Sequence, residues 1–327
     1  MKSMICILTI TLLVLWGCIP DAERDNPFDP KSDGYRDEGV LTGTITRRAQ
    51  PSEGIEGVLV TLDPPQGSET TDRDGFFTMD NIPSGNYVVT AFKTGYSQDS
   101  ASVQIIAGQR DTVHLALNGV PHFSKTRVTS EHNKSFTGDD VYFFHFDAQV
   151  EDADGLSDID SVAVTVDDLE FYKHLIRESN TNRFSVTIFP EEISETSLEA
   201  LVGKETIFIV TDRNSFKTES DPQYLVRIIH QSPSTVSPAD RDQVDPQPLL
   251  VWNQFSAPFA YTYSVEISAF PSVWSWSREG ILPSDTSITV NDTLDSRWSY
   301  FWLVSIVDEY GNFSQSPRVE FFVTGRR

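Results

Sequence analysis

Thr71-Asp72-Arg73-Asp74-Gly75-Phe76-Phe77 is the stretch on which the reading of this 327-residue chain turns. Asp72-Arg73-Asp74-Gly75 is the chemistry of a tight turn: Asp side chains bond to nearby backbone amides, and Gly takes a positive φ without a Cβ clash. The run Gly57-Val58-Leu59-Val60-Thr61-Leu62 comes before it, and Ile82-Pro83-Ser84-Gly85-Asn86-Tyr87 turns the chain again after it. Tyr87, Val89 and Ala91 then alternate inward, the period of a half-buried strand. Working outward, the same pattern predicts strands over 40–46, 57–62, 75–79, 87–93, 101–107 and 111–117, with no helix-period segment of useful length.

In that order and spacing, together with Gly95-Tyr96, these motifs resemble the carboxypeptidase regulatory-like domain, a prealbumin-like β-sandwich. The resemblance covers about 80 residues, taken here as 39–118, and implies a module appended to enzymes and surface proteins that carries no catalytic zinc of its own.

Two further blocks follow. In 119–230, Tyr142, Phe144, Phe146, Ala148 and Val150 alternate, as do Val162, Val164 and Val166. Further strands are predicted over 184–189, 206–211 and 224–229, with one helical turn over 198–202. The loop from Val150 to Ile159 and the turn Val210-Thr211-Asp212-Arg213-Asn214-Ser215 resemble the B–C and F–G turns of bacterial immunoglobulin-like modules. In 231–327, a Pro-rich entry leads to Leu249-Leu250-Val251-Trp252, and Leu294 precedes Tyr300 by six residues. Tyr300, Trp302, Val304 and Ile306 then alternate, and the block resembles a fibronectin type III domain. The fold class expected is therefore all-β, three consecutive β-sandwich domains. The junctions at Asn118-Gly119-Val120-Pro121 and Gln231-Ser232-Pro233 are short and contain Pro, which predicts a semi-rigid rod of separate modules.

The N-terminus carries an address. Lys2 precedes an apolar run from Met4 to Trp16, thirteen residues, which is short for a bilayer span and right for an export signal. Leu15-Trp16-Gly17-Cys18 resembles the lipobox of bacterial lipoproteins, although Trp16 stands where small residues are usual. The resemblance implies a signal peptide at 1–17, a diacylglycerol on Cys18 and a tether over 18–38. An uncleaved anchor or an ordinary secretory signal remain as alternatives. The tether is broken by Pro20, Pro27 and Pro30, and its Asp25-Asn26-Pro27-Phe28-Asp29-Pro30 resembles a segment found after the acylated Cys in lipoproteins of Gram-negative bacteria. Ile19 follows the Cys where an Asp would signal inner-membrane retention, so the outer membrane is the expected address.

Composition limits the partners. With 39% hydrophobic residues and 11% aromatics the chain can bury cores and is not a disordered tract. Lys and Arg number 25 against 48 Asp and Glu, a formal charge of −23, which repels phosphate backbones and excludes nucleic acid as the natural partner. The two cysteines, Cys6 and Cys18, lie in the first 18 residues, so no folded body can hold a disulfide or a cysteine metal site. No GxSxG, phosphate loop, GxGxxG, HExxH or EF-hand loop is present, and a non-enzymatic protein is expected.

Two groups of residues are candidates for binding. Asp152, Asp154, Asp158 and Asp160 offer alternate carboxylates in a tight loop, and Ca²⁺ takes six to eight oxygens. The same residues also suit a hydrophilic hairpin in which Asp caps backbone amides. Trp274 and Trp276, followed by Arg278, place two indoles on one face of a strand. Exposed, they would stack on sugar rings or a protein partner; otherwise they pack on the C-terminal sandwich. The function expected is a lipid-anchored envelope protein with a structural or interaction role. Polysaccharide capture, or service as an accessory subunit of an envelope enzyme or transport complex, are the alternatives.

Overall fold

The computed structural model describes residues 27, 29, 31, 32 and 34–325. Cys18 and the segment predicted as a signal peptide lie outside these residues. Two compact units make up the chain, one of the residues up to Lys93 with Gln98–Leu117, the other of Thr94–Ser97 with Asn118–Arg327. The chain is almost entirely β, and the helical turns among the described residues, Asp167–Leu169, Pro190–Glu192 and Leu198–Leu201, are all 3₁₀. No helix of the described residues is long and apolar enough to cross a membrane.

Among its described residues the first unit has seven strands: β1 (Glu38–Arg47), β2 (Leu59–Asp63), β3 (Ser68–Thr70), β4 (Phe76–Pro83), β5 (Gly85–Phe92), β6 (Asp99–Ile105) and β7 (Arg110–Leu117). They form two sheets, β4-β1-β7 and β3-β2-β5-β6, antiparallel except for the β1–β7 pair. Alternation along each strand fills the space between with Leu41, Ile45, Val60, Leu62, Phe77, Met79, Tyr87, Val89 and Leu115, all buried. The Asp72 turn forms as its chemistry requires. Asp72 Oδ1 accepts the amides of Asp74 and Phe76 at 3.0 and 2.9 Å. Gly75 sits at φ +77°, where an added Cβ would lie 2.3 Å from the Ile45 carbonyl oxygen. A side chain at this position would disturb both the turn and the neighbouring strand.

In the second unit, residues 119–230 contribute β8 (His122–Asn133), β9 (Val141–Glu151), β10 (Ile159–Val166), β11 (Phe171–His174), β12 (Ile176–Arg177), β13 (Arg183–Ile188), β14 (Ile207–Asp212) and β15 (Lys217–Glu219). Their core holds Phe144, Phe146, Val162, Val164, Phe184, Phe208 and Val210. Residues 231–325 contribute β16 (Thr235–Ser237), β17 (Asp242–Val244), β18 (Leu249–Trp252), β19 (Tyr261–Phe270), β20 (Ser275–Ile281), β21 (Ser287–Thr289), β22 (Ser299–Asp308), β23 (Phe313–Gln315) and β24 (Val319–Val323). A second core gathers Trp252, Tyr263, Val265, Tyr300, Trp302 and Phe321. Tyr300 fixes the corner expected of it: its hydroxyl accepts the Asp295 amide at 2.8 Å and donates to the Asp295 carbonyl at 3.2 Å.

The two cores do not belong to hinged modules. One sheet runs β12-β13-β9-β8-β23-β22-β19-β20, and its continuity rests on the parallel pairing of β23 with Glu131–Asn133 of β8. Around that seam Asn312, fully buried, accepts the Ser130 amide on Oδ1 at 2.9 Å and donates from Nδ2 to Asp308 at 3.0 Å. Arg227 reaches Asp308 at 3.3 Å and grips Glu309 through both terminal nitrogens. Its guanidinium also lies 4.5 Å from the centre of the Phe259 ring. His132 stacks on Tyr142 and shares hydrogen bonds with Ser314 and Asp140. The sequence predicted a strand at 224–229; the structure shows irregular chain there, with isolated bridges at Gln223 and Leu225. The apolar residues there serve two cores, since Ile228 enters the first core and Ile229 the second.

Two outcomes follow for the seam. Asn312→Ala strands the buried Ser130 amide, so it should lower the unfolding free energy of the second unit by about 1–3 kcal/mol, seen as a shifted urea midpoint. His132 behaves differently. Burial holds its pKa below the usual histidine value despite the pull of Asp140. The unfolded chain therefore takes up the proton first, and this contribution to stability, complete above about pH 6.5, is lost as pH falls below it. Denaturation of the wild type and of His132→Asn across pH 7.5 to 5 should show the stability gap between them shrinking in acid.

Candidate metal centre

The end of β9, the start of β10 and the end of β14 meet because β10 pairs with β14 in a register that sets Ile159 opposite Asp212. The loop 152–158 is thereby held beside Asp212. Within the loop, Asp152 Oδ1 accepts the Asp154 amide at 2.7 Å, and the backbone turns through Gly155 at φ +92°. Asp212 Oδ1 accepts the amides of Asn214 and Phe216 at 2.9 and 2.7 Å. These are the Asx turns that short acidic loops favour.

Carboxylate oxygens of Asp152, Asp154 and Asp158 converge to within 4.8 Å of one another. Asp154 and Asp158 are buried and Asp152 is half-buried. Asp160, the fourth residue expected from the sequence, is exposed on β10, past the end of the loop, and lies outside the group.

Asn118 and Gly119 close the other side. The Gly119 amide donates to Asp154 Oδ2 at 2.7 Å, and Asn118 Nδ2 donates to Asp212 Oδ2 at 2.6 Å and to the Gly119 carbonyl at 2.8 Å. Neither Asn118 nor Asp212 was named as a site residue from the sequence. The available signal was that both stand in turn sequences predicted to abut β-strands.

The electrostatics are those of crowded like charges. Burial, and then Asp154, Asp158 and Asp212, push Asp152 up to about 6. Burial together with Asp212 and Asp154 also raises Asp158, against the smaller opposing effects of Asn214 and Arg213. Holding these groups ionised at neutral pH is unfavourable unless positive charge compensates them. The donor set, oxygen only and mostly anionic, suits a hard divalent cation.

The aromatic candidate is placed differently. Trp274 packs edge-on against Tyr300 with ring centres 5.8 Å apart, and Trp276 donates from Nε1 to Asn291 Oδ1 at 3.1 Å. Both indoles rest against the second core, while Arg278 is exposed on β20 opposite Val265.

Residues 40–118 match the carboxypeptidase regulatory-like domain family. No curated protein sequence matches the chain. Among solved structures, the chain is similar to BcpA, the major pilin subunit of Bacillus cereus, at 11% identity and a TM-score of 0.31, covering 88% of this chain and 98% of that one. It is similar to the FN1–FN3 domains of chicken CNTN1 at 10% identity and a TM-score of 0.32, again covering 88% and 98%. Its likeness to GBS52, the minor pilin of Streptococcus agalactiae, has 18% identity and a TM-score of 0.24, covering 27% of this chain and about half, 47%, of that one. Similarities of this size carry no argument about activity or partner.

Gly119 gives the geometry a direct check. A Cβ there would lie 2.5 Å from Asp152 Oδ1 and 2.8 Å from the Asp154 backbone nitrogen. Gly119→Ala must displace the 152–154 turn, and it should lower the melting temperature of the second unit by an amount equivalent to about 1–3 kcal/mol. An unchanged melt by circular dichroism would mean that the loop yields freely.

Proposed function

We propose that the protein is a non-catalytic structural or interaction protein of a bacterial cell envelope, held by lipid on Cys18 at the outer membrane. The observation that carries this reading is the order of parts along the chain. An apolar run ends in Leu15-Trp16-Gly17-Cys18, a charged Pro-broken tether follows, and the remainder is β-sandwich. A tether of this composition holds folded modules off the bilayer without fixing their direction. The partner proposed is a protein met through sheet edges and loops. Polysaccharide capture is the weaker reading, since its stacking platform would need Trp274 and Trp276 in solvent and both rest on the core.

The anchor is testable in the native host. Wild-type protein should incorporate labelled palmitate and partition into detergent. Cys18→Ser should do neither and should accumulate as a precursor about 2 kDa larger, the mass of the uncleaved signal. A Cys18→Ser protein that partitions into detergent like the wild type would overturn lipid anchoring and favour an uncleaved apolar anchor.

A further inference from the structure

We propose that Asp152, Asp154, Asp158 and Asp212, with the side-chain oxygen of Asn118, form a Ca²⁺ site in the second unit. This goes beyond the envelope role above and does not depend on the lipid anchor.

Three observations meet at this point. The first is size. Carboxylate oxygens, one each from Asp152, Asp154 and Asp158, lie within 4.8 Å of one another and fit around one ion at about 2.4 Å, the usual Ca²⁺–oxygen distance, with Asp212 and Asn118 beside them. Mg²⁺, bound at about 2.0–2.1 Å in a strict octahedron and reluctant to shed water, asks for a tighter and wetter arrangement. The second is charge. The groups facing Asp152 are Asp154, Asp158 and Asp212, all negative. A divalent ion at their centre converts that mutual repulsion into attraction.

The third observation is independent of the acids and points to a missing ligand. Asn118 is 2% exposed, and its Oδ1 is buried without a hydrogen-bond partner. The amide cannot be turned over to relieve this, because Nδ2 is held by two acceptors, Asp212 Oδ2 and the Gly119 carbonyl. Its oxygen is therefore held buried and unpaired on the amide that meets Asp212, next to the Gly119 that bonds Asp154. An amide oxygen left this way is unfavourable, and an oxygen-seeking cation satisfies it. Asp152 Oδ2 is buried and without a hydrogen-bond partner in the same way. The Asx turns use Oδ1 of Asp152 and Oδ1 of Asp212, so loop capping explains neither of these two oxygens.

The test uses the full chain in detergent, stripped with EDTA and titrated calorimetrically with CaCl₂ or MgCl₂. One Ca²⁺ should bind with a dissociation constant of about 0.1–1 mM, the range of extracellular modules, and should raise the melting temperature, with Mg²⁺ at least tenfold weaker. Asp152→Asn, which keeps the side chain's shape, should weaken Ca²⁺ binding by about tenfold or more, and Asp158→Asn should do the same. Asp160→Asn should bind like the wild type. Folding of each variant is checked by near-UV circular dichroism without metal, where both charge-removing variants should melt at or above the wild-type temperature. Three results would each overturn the site: no Ca²⁺ binding by ~5 mM, wild-type affinity in both Asp152→Asn and Asp158→Asn, or a loss in Asp160→Asn as large as theirs.

Discussion

The three-residue parallel pairing of β23 with β8 is the constraint on which the architecture of the second unit depends. Without it, β8 and β23 would each present an open edge, and the ladder joining the two apolar cores would be broken. With it, the hydrogen-bond ladder is continuous from β12 to β20. Three pairs contribute little by themselves, and the polar groups around them hold the register. Asn312 satisfies Ser130, His132 meets Ser314, and Gln315 donates to Glu131 and Asn133. Each of these groups is buried or half-buried, so sliding the strand would leave several donors without acceptors. Register is thus set by polar matching where apolar packing is thin.

Arg227 adds to this through position more than through net energy. A charge pair with a buried carboxylate such as Asp308 recovers much of its Coulomb gain only to offset desolvation. What the pair does achieve is to tie the irregular segment 224–229 to the β22–β23 turn, where Ile228 and Ile229 must enter different cores. A segment with one side chain committed to each side cannot act as a free hinge. The short Pro-containing junction at 231–233 was read as a restricted linker between separate modules; sheet continuity goes further and makes the two cores one unit.

Legibility in the sequence followed how local the stabilising chemistry is. The first unit was readable almost strand by strand, because the Asp72 turn and the alternation of Tyr87, Val89 and Ala91 are decided within a few residues. β8, a twelve-residue strand central to its sheet, gave no signal: its buried positions include the polar Thr129, Ser130 and His132, and Ser130 and His132 bond to residues about 100 or more positions away. The apolar run at 224–229 misled for the converse reason, since such a run also arises when a chain threads between two cores. At the acidic cluster, three of the four acids came from one loop and were visible. Asp160 was counted because spacing along the chain does not say where the loop ends and the strand begins. Asp212 stayed hidden because only the β10–β14 register brings it there, and Asn118 because it arrives through hydrogen bonds across the fold to Asp212 and, at Gly119, to Asp154.

That register also explains why the acids are tolerated. A solvated hairpin would let Asp152, Asp154 and Asp158 spread apart, with water screening them. Here the β10–β14 ladder, the Gly119 amide on Asp154 and the Asx turns at both ends fix the carboxylates before any question of their charge arises. Backbone pairing supplies the free energy that holds like charges together, so the loop is a preorganised oxygen cage whose remaining imbalance is electrostatic. Burial and three neighbouring negative charges raise Asp152 well above the usual carboxylate range, which is the direction that imbalance imposes. A position so arranged is relieved by protonation or by a cation. At neutral pH protons are scarce for a group near 6, and a proton on Asp152 would still leave the oxygen of Asn118 without a partner unless it faced that oxygen directly. A single hard cation addresses both, which is why the buried amide, more than the number of acids, gives the cluster its chemical direction.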